Sequence, residues 1–321
     1  MHCIDRNLLG YRLALSIVNS NEDISLLNRA DFRDDDLFHI VVNYLSIFGY
    51  NIRISESEIC HSSTGNLLHE LPAPISFMDL GLQSSHLDKR FLTDFSTSKS
   101  IDEDLFELSN ALNYISVAGL AVFVAIKDYI RKCRQQTAFS DVVVLVGPGN
   151  NGNDGLIATK LLEEHTSLNI HTFTPKISSS RDSVICREYA NANEIYNHKE
   201  SVENNIQHFL DFFSPQTTLI IDSLFGFGFK GTPRPPFISI ENFFISIYQE
   251  WHIFSIDVPS FCTVSHLSWL PRALISLTCP KHKHTTKLIH YLGGRFIPDE
   301  VRDKYGIFND WVGSNIVALL Q

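Results

Sequence analysis

Three aspartates, two asparagines and a serine stand where side chains could do chemistry. Asn150, Asn151 and Asp154 lie in the stretch 141–155, DVVVLVGPGNNGNDG. Asp222 closes 217–222, TTLIID, and Asp257 and Ser260 sit in 252–260, HIFSIDVPS. A carboxylate can move a proton, and carboxylate, amide and hydroxyl oxygens together can hold a hard cation. Each group follows a short apolar run of the kind that forms a strand covered on both faces. Open α/β sheets bind ligands beyond the carboxyl ends of their strands, so all six groups are expected on one rim. A single aspartate at a strand end is commonly a turn former or helix cap. Three of them converging on one crevice read as a site.

Gly147, Gly149, Gly152 and Gly155 let the first of these strands turn tightly into a helix over 156–164. The helix start offers free N–H groups and a partial positive charge, which suits a phosphate-bearing ligand. The run 147–152 matches G-x-G-x-x-G formally. The following strand, however, ends Phe173-Thr174-Pro175, without the acid that would hold a ribose, which argues against an ordinary hydride-transferring dehydrogenase. No Gly-Lys-Ser/Thr follows the loop and no G-x-S-x-G occurs, against a P-loop NTPase and a Ser–His–Asp hydrolase. Asn151, Asp222 and Ser260 form an all-oxygen set for a hard cation, monovalent or Mg²⁺, and leave Asp257 free for proton transfer. The tract Lys281-His-Lys-His284 looks like a basic or metal-binding stretch and reads as a solvated loop, with a place near a ligand phosphate as the alternative.

These groups need a scaffold, and the chain supplies one. Its 321 residues are 44% hydrophobic and 19% charged, enough for a sizeable core. A net charge of −10 argues against a general nucleic-acid or anionic-membrane binder. The six cysteines (Cys3, Cys60, Cys133, Cys186, Cys262, Cys279) lie far apart, as free thiols in a reducing compartment do. With no clear signal peptide, a cytoplasmic or mitochondrial location is expected. The apolar segment 111–126 is short for a membrane span and reads as a buried helix, whose Ala118, Gly119 and Ala121 allow close approach of another backbone.

Residues 1–90 read as an extension with helices over 7–18 and 35–48, a short strand over 51–55 and a loop over 65–74. A polar connector over 89–100 leads to a main domain over 91–321. Helices over 101–109 and 111–134 precede strands over 142–146, 168–173, 217–222, 252–259, 273–278 and 291–297. Helices are expected between them over 156–164, 181–196 and 238–250. This alternation predicts an α/β, doubly wound, mostly parallel sheet.

The segments VVVLVGPGNNGNDG, IIDSLFGFGFKGTPRPPF, FSIDVPS, LISLTCPKH and HYLGGRFIP occur in that order. Together they resemble the NAD(P)H-hydrate epimerases, the YjeF N-terminal domain family, whose animal members include the apolipoprotein A-I-binding protein. The resemblance covers about residues 91 to 321. It implies a Rossmann-like, three-layer αβα fold and an isomerase of metabolite repair. Such an enzyme interconverts the R and S forms of NADHX and NADPHX, the hydrated nicotinamide dinucleotides. By the same resemblance Asn150, Asn151, Gly152, Asn153, Asp154, Gly226, Phe227, Gly228, Phe229, Lys230, Gly231, Thr232 and Asp257 would contact the substrate. Asp257 would act as general acid/base, and Asn151, Asp222 and Ser260 would hold a potassium ion. A homodimer is expected, an apolipoprotein A-I-type partner is implied by resemblance alone, and neither nucleic acid nor membrane is.

The chain departs from the family pattern at three places. Asn153 and Phe261 stand where the family has glycine, and Ser116 stands for the glutamate of an L-M-E-L-A-G segment that reads Tyr114 to Gly119 here. A left-handed backbone at residue 153 is the expectation, since asparagine tolerates it best after glycine. The rival reading is a binding or scaffold protein of the same fold with little catalysis, like the mRNA-decapping scaffold or an apolipoprotein binder. Retention of Asn151, Asp154, Asp222, Asp257 and Ser260 favours the enzyme.

Overall fold

The computed structural model describes residues 2–20, 26–28, 35–48, 53–55, 73–85, 95–108, 110–191, 206, 210–261, 269–281, 288–307 and 310–320. In chain order the elements are α1 (Cys3–Asn19), β1 (Leu26–Asn28), α2 (Asp35–Ile47), β2 (Arg53–Ser55), β3 (Gly81–Ser85), α3 (Phe95–Leu108) and α4 (Ala111–Cys133). There follow β4 (Asp141–Val146), α5 (Asn150–His165), β5 (Asn169–Phe173), α6 (Arg181–Ala190) and β6 (Thr218–Ser223). The chain then forms α7 (Phe237–Ile247), β7 (His252–Ile256), β8 (Ala273–Leu277), β9 (Ile289–Gly293), α8 (Asp299–Tyr305) and β10 (Asn315–Leu320).

Eight strands form one sheet in the order β3-β10-β9-β8-β7-β6-β4-β5. Every neighbouring pair is parallel except β10 against β9. The strand order reverses at β4: β5 lies on one side of it and β6 to β9 run away on the other. A crevice therefore opens between the carboxyl ends of β4 and β6, where ligands of such sheets bind.

Side chains alternate across the sheet, and the two faces meet different helices. Val142, Val144, Leu219, Ile221, Ile256 and Ile275 share one core with α1, α2, α4, α5 and α6. Val143, Leu145, Ile220 and Ile253 share a second with α7, Trp251 and Trp269. The long helix α4 is apolar enough to cross a membrane, but 83% of its most apolar window is buried inside the fold. Gly119 explains its close seat on α5: a Cβ there would lie 2.6 Å from the Ile157 side chain.

Several elements differ from the sequence expectation. α3 starts at Phe95 rather than at residue 101, so half of the supposed polar connector is helical. α5 starts at Asn150, six residues before the first strongly apolar position, because the turn needs only residues 147–149. The helix expected over 181–196 runs to Ala190, with residues 192–196 outside the described set, as is nearly all of the expected loop 65–74. Strands β3 and β10 and helix α8 were not anticipated. β3 lies within the stretch read as an extension, yet it pairs with β10 at the sheet edge. α1 and α2 bury Ile4, Leu8, Tyr11, Phe38 and Val41 in the main core, so these two helices are built onto the main domain, while β1 and β2 pair with each other as a separate two-stranded parallel sheet.

Among the described residues no disulfide joins Cys3, Cys133, Cys186 or Cys279, and Cys60 and Cys262 lie outside the described set.

Candidate active site

The carboxyl end of β4 and the start of α5 are held together by two glycines. A Cβ on Gly147 would lie 1.7 Å from the Leu224 carbonyl, and one on Gly152 would lie 2.0 Å from the Gly147 carbonyl. No side chain larger than hydrogen fits, so the turn closes tightly and aims the first N–H groups of α5 at the crevice. Pro148, Gly149, Asn150, Asn151 and Asp154 line a cavity of about 550 Å³ there. Phe225 to Lys230 form the opposite wall, with Asp257, Thr278 and Lys281 beside them and Asp102, Tyr114 and Phe296 further round. Of the residues expected to contact substrate, Gly152, Asn153, Gly231 and Thr232 are not in that lining. Asn153 is helical, its N–H bonded to the Gly149 carbonyl at 3.2 Å, and buried. The expected left-handed turn at residue 153 is absent because the helix has already begun.

Asp257 follows β7 directly and has φ 68°. Its side chain is buried and both oxygens are engaged. The Phe227 N–H donates to Oδ2 at 2.9 Å and the Lys281 ammonium donates to Oδ1. Lys281 also donates to the Leu277 carbonyl at 2.9 Å and lies 4.4 Å from the centre of the Phe227 ring. Its side chain is 3% exposed, which corrects the reading of this residue as part of a solvated tract. Residues 282–284 lie outside the described set. Burial works against the ammonium, but the carboxylates of Asp257 and Asp102 outweigh it and hold the Lys281 pKa above its ordinary value.

Two more carboxyls face this pair. Asp154 is 6% exposed and its Oδ1 has no partner. Burial, reinforced by the charges of Asp257 and Asp102, pushes it well above the ordinary carboxylate range. Asp102 is raised to about 6, chiefly by burial and against the pull of Lys281. The crevice thus holds one buried cation among three carboxyl groups. Asp102 and Lys281 are the functional candidates that the sequence reading missed. Asp102 lies at helical spacing from the buried Ser98, Ile101 and Leu105 and is itself partly exposed, so no local signal in the sequence marks it. Lys281 lies four residues past β8, on the same rim as the recognised aspartates.

Asp222 and Ser260 lie beneath the wall of the cavity. Strand register places Asp222 beside Ser255, whose hydroxyl donates to Oδ2 at 2.9 Å. The Ser260 N–H also reaches Oδ2, at 2.9 Å, while the Ser260 hydroxyl and the Leu224 N–H reach Oδ1. The Phe225 N–H in turn donates to the Ser260 hydroxyl at 2.9 Å, which anchors the start of the 225–231 loop. Asp222 is fully buried, and that burial raises it to about 6 despite the bonds from Ser260. Asn151 lines the cavity with neither amide atom partnered. An orphaned oxygen and a carboxylate buried without a counter-charge both fit a bound cation. Asp222 already takes four hydrogen bonds, so an ion would compete with its present donors.

Phe261, next to Ser260, has φ 69°. Its ring is buried against Phe225, Phe229 and Phe244.

A glycine-walled helix start and buried carboxyls at the switch point of a parallel sheet define an α/β protein with a charged crevice at its carboxyl rim. The family is also shown by comparison: residues 113–283 match the model described as YjeF-related protein N-terminus, and the chain belongs to that family. An NAD(P)H-hydrate epimerase of Aedes aegypti is 32% identical over 232 residues, spanning 69% of this chain and 96% of its own. One of Plasmodium vivax is 31% identical, spanning 77% of this chain and 84% of its own. The crystal structure of a yeast protein superposes with a TM-score of 0.56 at 27% identity, over 70% of this chain and 98% of that one.

Proposed function

We propose that this protein is an NAD(P)H-hydrate epimerase, an isomerase that interconverts the R and S forms of NADHX and NADPHX. The observation that carries the reading is the Asp257 carboxylate, held by Phe227 and Lys281 at the mouth of β7 beside the α5 helix start. The relatives named above bear that activity in their names. The N–H groups of Asn150 to Gly152 would take the dinucleotide phosphates, and Gly226 to Thr232 would cover the ligand. Asp257 would be the general acid/base. Epimerisation at the carbon bearing the hydroxyl needs loss and return of that group, or opening and closure of the ring. A carboxylate within reach assists either route.

Asn151, Asp222 and Ser260 would hold a potassium ion, whose charge would offset the burial of Asp222 and tighten the loop anchored by Ser260. The reaction is tested by incubating pure protein with R-NADHX and following the S form by chromatography, for wild type and Asp257→Ala. No rate above background in wild type overturns the function, and an undiminished rate in the variant overturns the role of Asp257. The ion is tested by melting the protein in potassium and in tetramethylammonium chloride. Stabilisation by potassium that Asn151→Ala removes is the expected result.

A further inference from the structure

One buried group beside Asp257 has no step of its own in the proposed chemistry. Lys281 is a lysine taken out of water, which is costly unless the charge is paired. Its position is built with care. Thr278 takes φ 70° immediately after β8, and the Cys279 N–H bonds back to the Leu277 carbonyl at 2.8 Å. This sharp turn brings Lys281 over the end of its own strand, where its ammonium meets the Leu277 carbonyl. From there it reaches across to Asp257, on the neighbouring strand end.

The Phe227 backbone fixes the other oxygen of Asp257, and the Phe227 ring covers the ammonium. The carboxylate is therefore clamped from both sides, with its remaining lone pairs available to the cavity that Asp257 and Lys281 both line. The titratable groups that act on Lys281 are Asp257 after β7, Asp102 on α3 and Cys279 on its own loop, and Lys281 in turn acts on Asp154 of α5. Lys230, the other cation in the lining, is exposed and cannot replace it.

We propose that Lys281 is a positioning residue, which holds the Asp257 carboxylate aimed into the cavity that it shares with Asp102 and Asp154. The inference rests on the epimerase reading for its kinetic consequence, but not for the ion pair itself. Two measurements separate the two.

The first is kinetic. Lys281→Met lowers kcat by about 100-fold with KM for NADHX within about twofold, and Lys281→Arg restores at least about a tenth of the wild-type rate. Unchanged kcat in Lys281→Met, or a raised KM with kcat intact, overturns the proposal. A purely structural role would lower the melting temperature without splitting kcat from KM.

The second measurement needs no substrate and no Lys281 variant. The Nζ of Lys281 is followed by nitrogen NMR in selectively labelled protein. In Asp257→Asn its titration midpoint falls, because its nearest counter-charge is gone. A midpoint identical to wild type overturns the proposal even if the enzyme is active. An inactive wild type overturns the epimerase reading and leaves this result standing by itself.

Discussion

Asp257 and Thr278 end neighbouring parallel strands in the same rare backbone state, with φ of 68° and 70°. After each, an N–H bonds back two residues: Val258 to Ile256 at 2.9 Å and Cys279 to Leu277 at 2.8 Å. This is the pattern of the classic γ-turn, which is strained. Strain of this kind persists where the surrounding fold over-determines it, and here it serves the two turns that deliver Asp257 and Lys281.

The strain at residue 278 is measurable. Thr278→Gly is expected to be more stable than Thr278→Ala by about 1 kcal/mol, since both lose the hydroxyl and only glycine relieves the positive φ. Urea unfolding of the two variants checks this.

Gly226 sets how closely the 225–231 loop approaches Asp257. A Cβ at residue 226 would lie 2.7 Å from Asp257 Oδ2, the oxygen that accepts from Phe227. Gly226→Ala is expected to cost about 100-fold in kcat/KM, as small displacements at a reacting group do. The melting temperature, recorded alongside, is expected to change little.

Asp154 trades stability for its place in the cavity. Its folded pKa lies well above that of the unfolded chain. Between the two values the folded protein holds a proton that the unfolded chain has lost, so stability falls as pH rises through that window. Above the folded pKa the carboxylate is buried at full cost. Asp154→Asn is therefore expected to melt like wild type near pH 4 and higher than wild type near pH 8, while losing activity. Melting curves across that range decide it.

Phe261 sets two terms against each other. Glycine would relieve a positive φ, worth about 1 kcal/mol, but would empty an aromatic site worth about 3–5 kcal/mol. Phe261→Gly is expected to be destabilised by about 2–4 kcal/mol in urea unfolding. The ring therefore stabilises the fold at the position where the family pattern has glycine.

The central strands were legible because they are β-branched runs without polar alternation, as in Val142 to Val146, and because helical stretches separate them. The aspartates Asp222 and Asp257 were legible because a strand's end fixes which rim its next residue joins. The same rule, applied to the strand ending at Leu277, would have reached Lys281; the neighbouring histidines and Lys283 disguised it as surface. Asp102 depends on which face α3 turns inward, and that is a tertiary fact. β3 was illegible because Gly-Leu-Gln-Ser-Ser carries no strand signal of its own. It is a strand because β10 offers it an open edge.

That last pairing has a kinetic side. Gly81 meets Asn315, and Ser85 meets Leu320, so the edge strand waits for a partner more than two hundred residues downstream. Closing so long a loop is slow and entropically costly. During synthesis the β4–β9 sheet can be complete while β3 still has no neighbour. The edge is thus expected to assemble last and to detach first, and amide exchange in β3 and β10 should outpace that in β4 and β6.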